Sequence, residues 1–589
     1  MVRIAIIDKL RCINGTGCNF ICGNYCPVNR TGSDCVVVDD NKRPIIDEGL
    51  CTGCGICPKR CPVDAIEIIN LPEKLNEEPI HRYGKNAFEL FRLPIPKFGK
   101  VVGILGRNGI GKTTALAILS GTLKPNLGNL QGATEEEIVS RYSKSFLGDY
   151  FKKLFANELY VSYKPQRIEL LPKIYDGTVK ELLNKIDEKG NSEELTKELG
   201  IFHLLDRKLS ELSGGELQRL AIIATAVKKA DIYYFDEPAS FCDITTRIKV
   251  AKLIRKLVNE NTAVMVVEHD LATLDYISDE IQIVYGIQNG YGVISQSKSV
   301  KRGINEYLDG FLPDDNVRFR NYSIKFEGYL ARRTIGKEII VRFPSFAKHF
   351  ENFSMVGRSG EVHNAEIMAV MGANGLGKTT FLKILAGELK PDSGTVEEIK
   401  ISYKPQYLDN TIQGTVKDLL MQVAEDRFNS GWYKSNIMDR LGLEKIQESQ
   451  VSTLSGGELQ KFYVALTLSR KAKLYAFDEP SAFVDVEDRL KVAEVIKDFV
   501  IKNDACAIVV DHDVQFIDYV GDSMLVFEGK PGKEGHVIGP LSKPEGMNKV
   551  LHMLDITYRL DQENLRPRIN KPGSQLDRTQ RDKNKYYYA

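Results

Sequence analysis

The chain has 589 residues, enough for three or four domains. Its 80 basic and 79 acidic residues leave a formal charge of +1, so net charge alone points to no nucleic-acid partner. A hydrophobic content of 43% is ordinary for a globular protein, and no uncharged apolar run reaches the roughly eighteen residues of a membrane span. The opening Met1-Val-Arg-Ile-Ala-Ile-Ile-Asp8 is too short and too soon polar for a signal peptide and reads as a strand, so a cytoplasmic location is expected.

Nine of the eleven cysteines lie between Cys12 and Cys61. In a reducing cytosol that density means metal rather than disulfides. Cys51-x-x-Cys54-x-x-Cys57-x-x-x-Cys61-Pro62 has the ferredoxin spacing, in which three close thiolates hold one cluster and the fourth, ahead of proline, ligates another. Cys12, Cys18, Cys22 and Cys26-Pro27 form a looser run upstream. The crossing rule predicts two [4Fe–4S] clusters, one on Cys26, Cys51, Cys54 and Cys57 and the other on Cys12, Cys18, Cys22 and Cys61. Cys35 is then spare, or replaces a member of the looser run. The particular spacing argues against a pair of structural zinc sites. No flavin or other redox motif stands nearby, so a structural or docking role is expected. Residues 1–72 read as a ferredoxin-like domain.

Two phosphate loops follow: Gly106-Arg-Asn-Gly-Ile-Gly-Lys112-Thr113-Thr114 and Gly372-Ala-Asn-Gly-Leu-Gly-Lys378-Thr379-Thr380. Their backbone N–H groups, including those of Asn108, Gly109, Gly111 and Thr114 in the first and Asn374, Gly375, Gly377 and Thr380 in the second, suit phosphate oxygens. Lys112 and Lys378 reach the β/γ oxygens, and Thr113 and Thr379 coordinate Mg²⁺. About a hundred residues after each loop comes Leu-Ser-Gly-Gly-Glu-Leu-Gln, with Ser213-Gly214-Gly215 in the first copy and Ser455-Gly456-Gly457 in the second. Such a turn opening a helix presents a hydroxyl, free N–H groups and a positive dipole end to an anion.

This pairing resembles the ATP-binding cassette family, in which one copy's Ser-Gly-Gly turn closes over nucleotide held by the other copy's loop. The resemblance implies further roles. Tyr83 in His81-Arg82-Tyr83-Gly84, or Phe88, stacks on adenine in the first copy, and Phe343 in Phe343-Pro344 does so in the second. Gln166 and Gln406 sense Mg²⁺ and water, and Asp236 and Asp478 hold Mg²⁺. Glu237 and Glu479, at the ends of apolar strands, act as general bases. Asp243 and Asp485 sit on the facing loops, and His269 and His512 contact the γ-phosphate.

Spacing between the copies is informative. Lys112 and Lys378 are 266 residues apart and Gln166 and Gln406 only 240, while the two serines, like the two glutamates, are 242 apart. The first copy therefore carries about 26 extra residues between its loop and its glutamine, near 130–158. Thr134-Glu-Glu-Glu137 is a capping box that starts a helix there. Gly148 is expected to break it and Asp149 to cap a second, giving a helix–loop–helix that stands off the core with basic edges at Arg141, Lys144, Lys152 and Lys153. Its reading is a docking arm for an anionic or ribonucleoprotein surface.

The domains then run 73–302 for the first nucleotide-binding domain, 303–325 for a hinge with Arg318-Phe319-Arg320, 326–540 for the second, and 541–589 for a C-terminal hinge and basic tail. The fold class is α/β: a ferredoxin-like iron–sulfur domain ahead of two P-loop cassettes arranged head to tail. Over essentially its whole length the chain resembles the RNase L inhibitor family, the E subfamily of ATP-binding cassette proteins. That resemblance implies an ATPase that splits ribosomes after termination or stalling, using ATP, Mg²⁺ and two [4Fe–4S] clusters. Its partners would be the small ribosomal subunit and whole ribosome, with their RNA and proteins, a class-one release factor or its stalling homologue, and initiation factors, with no membrane. The rivals are an ATP-driven iron–sulfur electron-transfer protein, a nuclease inhibitor and a transporter ATPase. Departures from the family pattern are Phe241 and Cys242, where Tyr and Leu are expected, and a phenylalanine at the second adenine position.

Overall fold

The computed structural model describes residues 3–9, 11–70, 77–326, 338–394 and 400–588. Strands Arg3–Ile7 and Ile66–Asn70 pair antiparallel and bring the two ends of the cysteine segment together. The expected boundary at residues 72–73 lies outside the described residues. Ile4, Ile6 and Ile69 of this pair are buried in one apolar cluster with Phe91 and Tyr291 of the first cassette. The cysteine-bearing head is thus seated on its neighbour.

Each cassette is built on one sheet, and the strand order is the same in both. In the first it runs His81–Arg82, Glu89–Phe91, Tyr291–Ile294, Glu280–Ile287, Val101–Leu105, Ala263–Val267, Ile232–Asp236, Val161–Lys164. In the second it runs Phe346–His349, Ser354–Gly357, Glu534–Ser542, Ser523–Lys530, Ile367–Gly372, Cys506–Val510, Leu474–Asp478, Ile401–Lys404. The central strands pair in parallel, and Val101–Leu105, Ile232–Asp236 and Ala263–Val267 are buried at every position. Continuous apolar strands of this kind follow from helices covering both faces. One strand separates the phosphate-loop strand from the carboxylate strand, so both open at the same C-terminal edge, where ligands of open α/β sheets bind.

The insertion departs from expectation. Its first helix, Glu135–Arg141, starts at the Thr134 capping box, but the second spans Phe146–Phe155 and contains Gly148 rather than beginning at Asp149. Nor does it stand off the core. Ile138, Leu147, Tyr150 and Phe151 are buried with Leu116 and Leu119 of the cassette, and the Tyr150 hydroxyl lies 2.8 Å from that of Tyr234. The aromatic face is large enough that burying it outweighs leaving the hairpin solvated. Lys144, Lys152 and Lys153 remain exposed.

The C-terminal segment is also structured. Strands Tyr558–Leu560 and Pro567–Ile569 pair antiparallel and helix Gln575–Asp582 follows. Arg566 and Arg568 are buried against Asp275 on helix Leu271–Ile277 of the first cassette, with Arg568 Nε 2.7 Å and Arg566 Nη2 3.3 Å from Asp275 Oδ2. The terminal tyrosines are fixed too, the Tyr587 hydroxyl donating to buried Asp518 at 2.6 Å and that of Tyr588 at 2.5 Å. In the first hinge, Arg320 Nη1 lies 3.5 Å from Glu487 of the second cassette. Removing one partner of a buried ion pair strands the other charge. Asp275→Ala is therefore expected to cost about 3 kcal/mol, read as a lower urea midpoint. A change below about 0.5 kcal/mol, the scale of exposed pairs, would show that the tail is not anchored there.

Candidate functional site

The phosphate loops start from buried strands and end in helices Lys112–Leu119 and Lys378–Leu385. Gly111 and Gly377 cap these helices at φ +93° and +91°, and a Cβ on Gly111 would lie 2.7 Å from the Phe88 ring. Only glycine meets both demands. The lysines fold onto their own loops, Lys112 Nζ donating to Gly106 O and Lys378 Nζ to Gly372 O, both at 2.9 Å. Burial pushes the Lys112 ammonium down, and it pushes that of Lys378 down to about 8. Nearby carboxylates oppose the shift, including Asp485 for Lys112 and Asp243 for Lys378, each from the opposite copy.

Both sites open into one cleft of about 1380 Å³, whose walls carry Lys112 and Lys378, Ser213 and Ser455, and Glu237 and Glu479. Across it the facing loops reach the opposite phosphate loops. Asp243 Oδ2 accepts from Asn374 N at 2.9 Å, and Asp485 Oδ2 accepts from Asn108 N at 3.3 Å. Phe241 and Phe483 meet edge to face, their centroids 5.4 Å apart.

The two carboxylate centres match closely. His269 Nε2 lies 3.1 Å from Glu237 Oε1, and Gln166 Nε2 donates to the same oxygen at 2.7 Å. In the second copy His512 Nε2 stands 3.4 Å from Glu479 Oε1 and Gln406 Nε2 donates at 2.7 Å. Burial alone would raise both glutamates. The nearby histidine, hydrogen-bonded in the first copy, and then the loop lysine outweigh it and hold each at about 2. Asp236 shifts the other way: burial first, and the Glu237 charge second, raise it to about 6. Both Asp236 oxygens are buried with no hydrogen-bond partner among the described residues, which fits a cation held there with Thr113. Thr379 Oγ1 donates to Asp478 Oδ2 at 2.8 Å. On the signature turns, Ser213 Oγ donates to Glu216 Oε2 at 2.8 Å and Ser455 Oγ to Glu458 Oε2 at 2.7 Å. Gly214, Gly215, Gly456 and Gly457 line the same cleft.

Tyr83 and Phe88 border the first site, and the Tyr83 hydroxyl lies 3.1 Å from that of Thr114. Phe343 does not have this place in the second. It is 2% exposed and sits in the core against Phe381, because its strand, Ile339–Phe343, pairs with Gly360–His363 rather than with the nucleotide-bordering hairpin. The equivalent of Tyr83 is Phe350. Tyr83 N donates to Phe88 O and Phe350 N to Phe353 O, and the ring pairs are 6.4 and 6.3 Å apart. The signal was in the spacing, since Tyr83 precedes Lys112 by 29 residues and Phe350 precedes Lys378 by 28, against 35 for Phe343.

In the head, Cys57 faces Cys51, Cys54 and Cys26, and these four thiols line one small cavity with Cys35. Cys12 faces Cys61 and Cys18, and Cys22 faces Cys12 and Cys18. Cys26, Cys51, Cys54 and Cys57 are thus neighbours of one another, and Cys12, Cys18, Cys22 and Cys61 of one another. Cys35 is a fifth thiol beside the first set, against Cys26 and Cys51. The head touches the second cassette through Arg11, which donates to Lys445 O at 3.1 Å and lies 3.9 Å from Glu458 Oε1.

Paired phosphate loops, signature turns and carboxylate strands sharing one cleft define an ATP-hydrolysing cassette protein. The ABC transporter family profile matches residues 95–240 and 356–482, and the 4Fe-4S binding domain profile matches 44–67. The chain is 47% identical to an uncharacterized ABC transporter ATP-binding protein of Methanocaldococcus jannaschii, covering 100% of this chain and 98% of that one. It is 42% identical to translation initiation factor RLI1 of Chaetomium thermophilum, covering 100% and 97%. A solved structure described as a model of ribosome-bound archaeal Pelota and ABCE1 superposes with a TM-score of 0.94 at 48% identity, covering 100% of this chain and 99% of that one. The chain belongs to the RNase L inhibitor family, the E family of ATP-binding cassette proteins. It is an ATPase that uses ATP and Mg²⁺ and carries iron–sulfur chemistry in its head. No helix among the described residues is long and apolar enough to cross a membrane.

Phe350→Ala is expected to weaken ATP binding at the second site roughly fivefold or more, the scale of one lost base–aromatic stack, with little change in melting temperature. Phe343→Ala is expected to do the reverse, losing about 3 kcal/mol of stability. Fluorescent-nucleotide titration and thermal melts of the two variants separate the assignments.

Proposed function

We propose that the protein is a ribosome recycling factor, in which ATP-driven closure of the twin cassettes moves the head and parts the ribosomal subunits. The observation that carries this is the crossed contact in the shared cleft: each facing loop already holds the other copy's phosphate loop, through Asp243–Asn374 and Asp485–Asn108. Nucleotide between Lys112 and Ser455, and between Lys378 and Ser213, then adds affinity only in the closed form, which is the condition for a ligand to drive a conformational change. Asp236 with Thr113, and Asp478 with Thr379, would hold Mg²⁺, which would supply positive charge against the phosphates. Glu237 and Glu479 orient the attacking water and take its proton, with Gln166, Gln406, His269 and His512 ordering the site. In the head, Cys26, Cys51, Cys54 and Cys57 would hold one [4Fe–4S] cluster, and Cys12, Cys18, Cys22 and Cys61 the other.

The relatives support the ribosomal reading, one being a translation initiation factor and another a ribosome-bound protein seen together with Pelota. A cytoplasmic location, the small subunit as the retained platform, and a release factor or its stalling homologue as the head's partner belong to the same reading. Initiation factors would meet the protein on that subunit. The exposed Lys144, Lys152 and Lys153 on the insertion give it a basic edge suited to ribosomal RNA.

Two measurements test this. With the full chain, ATP, a release factor and intact ribosomes, light scattering is expected to fall as subunits separate; unchanged scattering counts against recycling. Glu237→Gln with Glu479→Gln is expected to bind ATP yet cut its turnover about 100-fold or more, leaving the protein trapped on the small subunit. Normal turnover in that variant would remove the general-base assignment.

A further inference from the structure

Behind each carboxylate centre lies a lysine that the chemistry above leaves unused. Lys164 is 1% exposed and Lys404 0%. Both ammonium groups spend their hydrogen bonds on backbone carbonyls. Lys164 Nζ donates to Asp236 O at 2.8 Å and to Glu237 O at 3.3 Å. Lys404 Nζ donates to Asp478 O at 2.8 Å, to Glu479 O at 3.5 Å and to Pro405 O at 3.1 Å. A second buried donor reaches the same carbonyl from the signature helix. Gln218 Nε2 donates to Glu237 O at 2.8 Å, and Gln460 Nε2 donates to Glu479 O.

These bonds act on a strained peptide. Glu237 and Glu479 stand at φ +48° and +49°, a left-handed conformation that a non-glycine residue keeps only where its surroundings impose it. On the other side of each glutamate the backbone N–H is held as well, Glu237 N by Val267 O at 3.0 Å and Glu479 N by Val510 O at 2.8 Å. Both backbone polar groups of the glutamate are therefore tied, and its side chain lies in the cleft. Burying an ammonium away from water is costly, yet the arrangement occurs in both copies, although the copies differ by a 26-residue insertion a short way upstream. The charge also faces the carboxylates it serves: Asp236, Glu237 and Glu268 around Lys164, with the Cys242 thiol, and Asp478, Glu479 and Asp511 around Lys404.

We propose that Lys164 and Lys404 are positioning residues for ATP hydrolysis, each clamping with Gln218 or Gln460 the carbonyl that sets the reactive glutamate in its left-handed turn. The clamp joins three elements, since the lysine ends the strand leading to Gln166 or Gln406 and the glutamine lies on the signature helix. This inference rests on the general-base reading of Glu237 and Glu479.

The test is steady-state ATPase of the full chain carrying Lys164→Met with Lys404→Met, beside Gln218→Leu with Gln460→Leu and Glu237→Gln with Glu479→Gln. The lysine pair is expected to lose about 10- to 100-fold in kcat, the scale of a misplaced catalytic group, with KM for ATP within about twofold. The glutamine pair is expected to lose less, again in kcat alone. Turnover within twofold of the parent in the lysine variant would overturn the proposal, as would a KM that rises in step with the fall in kcat. Should the lysine variant fail to fold, the glutamine pair decides, and unchanged kcat there overturns the clamp. Normal turnover in the glutamate variant would instead sink the general-base reading.

Discussion

Asp243 and Asp485 each do two jobs with two oxygens. Oδ1 caps the helix that follows, accepting from Thr246 N at 2.8 Å in the first copy and from Asp488 N at 3.0 Å in the second. Oδ2 crosses the cleft to a phosphate-loop amide of the other cassette. A helix N-terminus carries partial positive charge, and so does the amide-lined phosphate loop, so one carboxylate is attracted from both sides. Burial would raise these carboxyls, but the amide hydrogen bonds keep both below the usual carboxylate range. The cap belongs to one domain and the tether to the other. Separating the cassettes therefore breaks a charge-assisted bond in each site, which couples the two.

That constraint explains why unfavourable backbone geometry is repeated. Glu237 and Glu479 are left-handed, and so are Phe241 and Phe483 at φ +60° and +61°. Each such residue costs of order 1–3 kcal/mol. The cost is local, whereas what holds it is distributed: carbonyl and amide bonds from three elements at the glutamates, and a ring–ring contact between copies at the phenylalanines. Near-identical angles in two cassettes, separated in sequence by more than two hundred residues, mean that the strain is set by the shared frame and not by accidents of either segment.

The head is attached unequally to the two cassettes. Toward the first it has a buried apolar contact, the paired bonds between Asn86 and Ile46 at 2.8 and 2.9 Å, and Arg82–Glu48 at 2.7 Å. Toward the second it has Arg11, part-exposed, at 3.1 and 3.9 Å. Partly exposed ion pairs are worth at most about 1 kcal/mol, while the buried set is worth several times that. The head therefore belongs to the first cassette and touches the second through a contact that is cheap to break. Arg11 falls on Glu458, whose other oxygen accepts from Ser455. The position of the head and the hydroxyl of the signature turn are thus joined through one carboxylate.

What can be read in the sequence and what cannot divides along a physical line. Phosphate loops, signature turns, carboxylate strands and the ferredoxin run are short segments whose chemistry requires particular residues at fixed local spacing, and the structure gathers them into one cleft and one head. The second adenine-side aromatic is misplaced from sequence because Phe343 has the right residue type, whereas position in the hairpin is decided by which strand pairs with Ser354–Gly357. The insertion is expected to stand free because helical periodicity shows an apolar face without showing its cover, here Leu116, Leu119 and Tyr234. Composition marks the C-terminal hinge as a basic segment without showing what anchors it. Arg566, Arg568 and Tyr587 are buried because Asp275 and Asp518 lie hundreds or tens of residues away on helices that expose acceptors to them. Lys164 and Lys404 are visible only as the second letter of a repeated Tyr-Lys-Pro-Gln, since the acceptors that define their role are backbone carbonyls, which carry no letter in any sequence. The groups that hold a site in shape are harder to read than those that perform its chemistry, for the first are specified by distance across the fold and the second by reactivity.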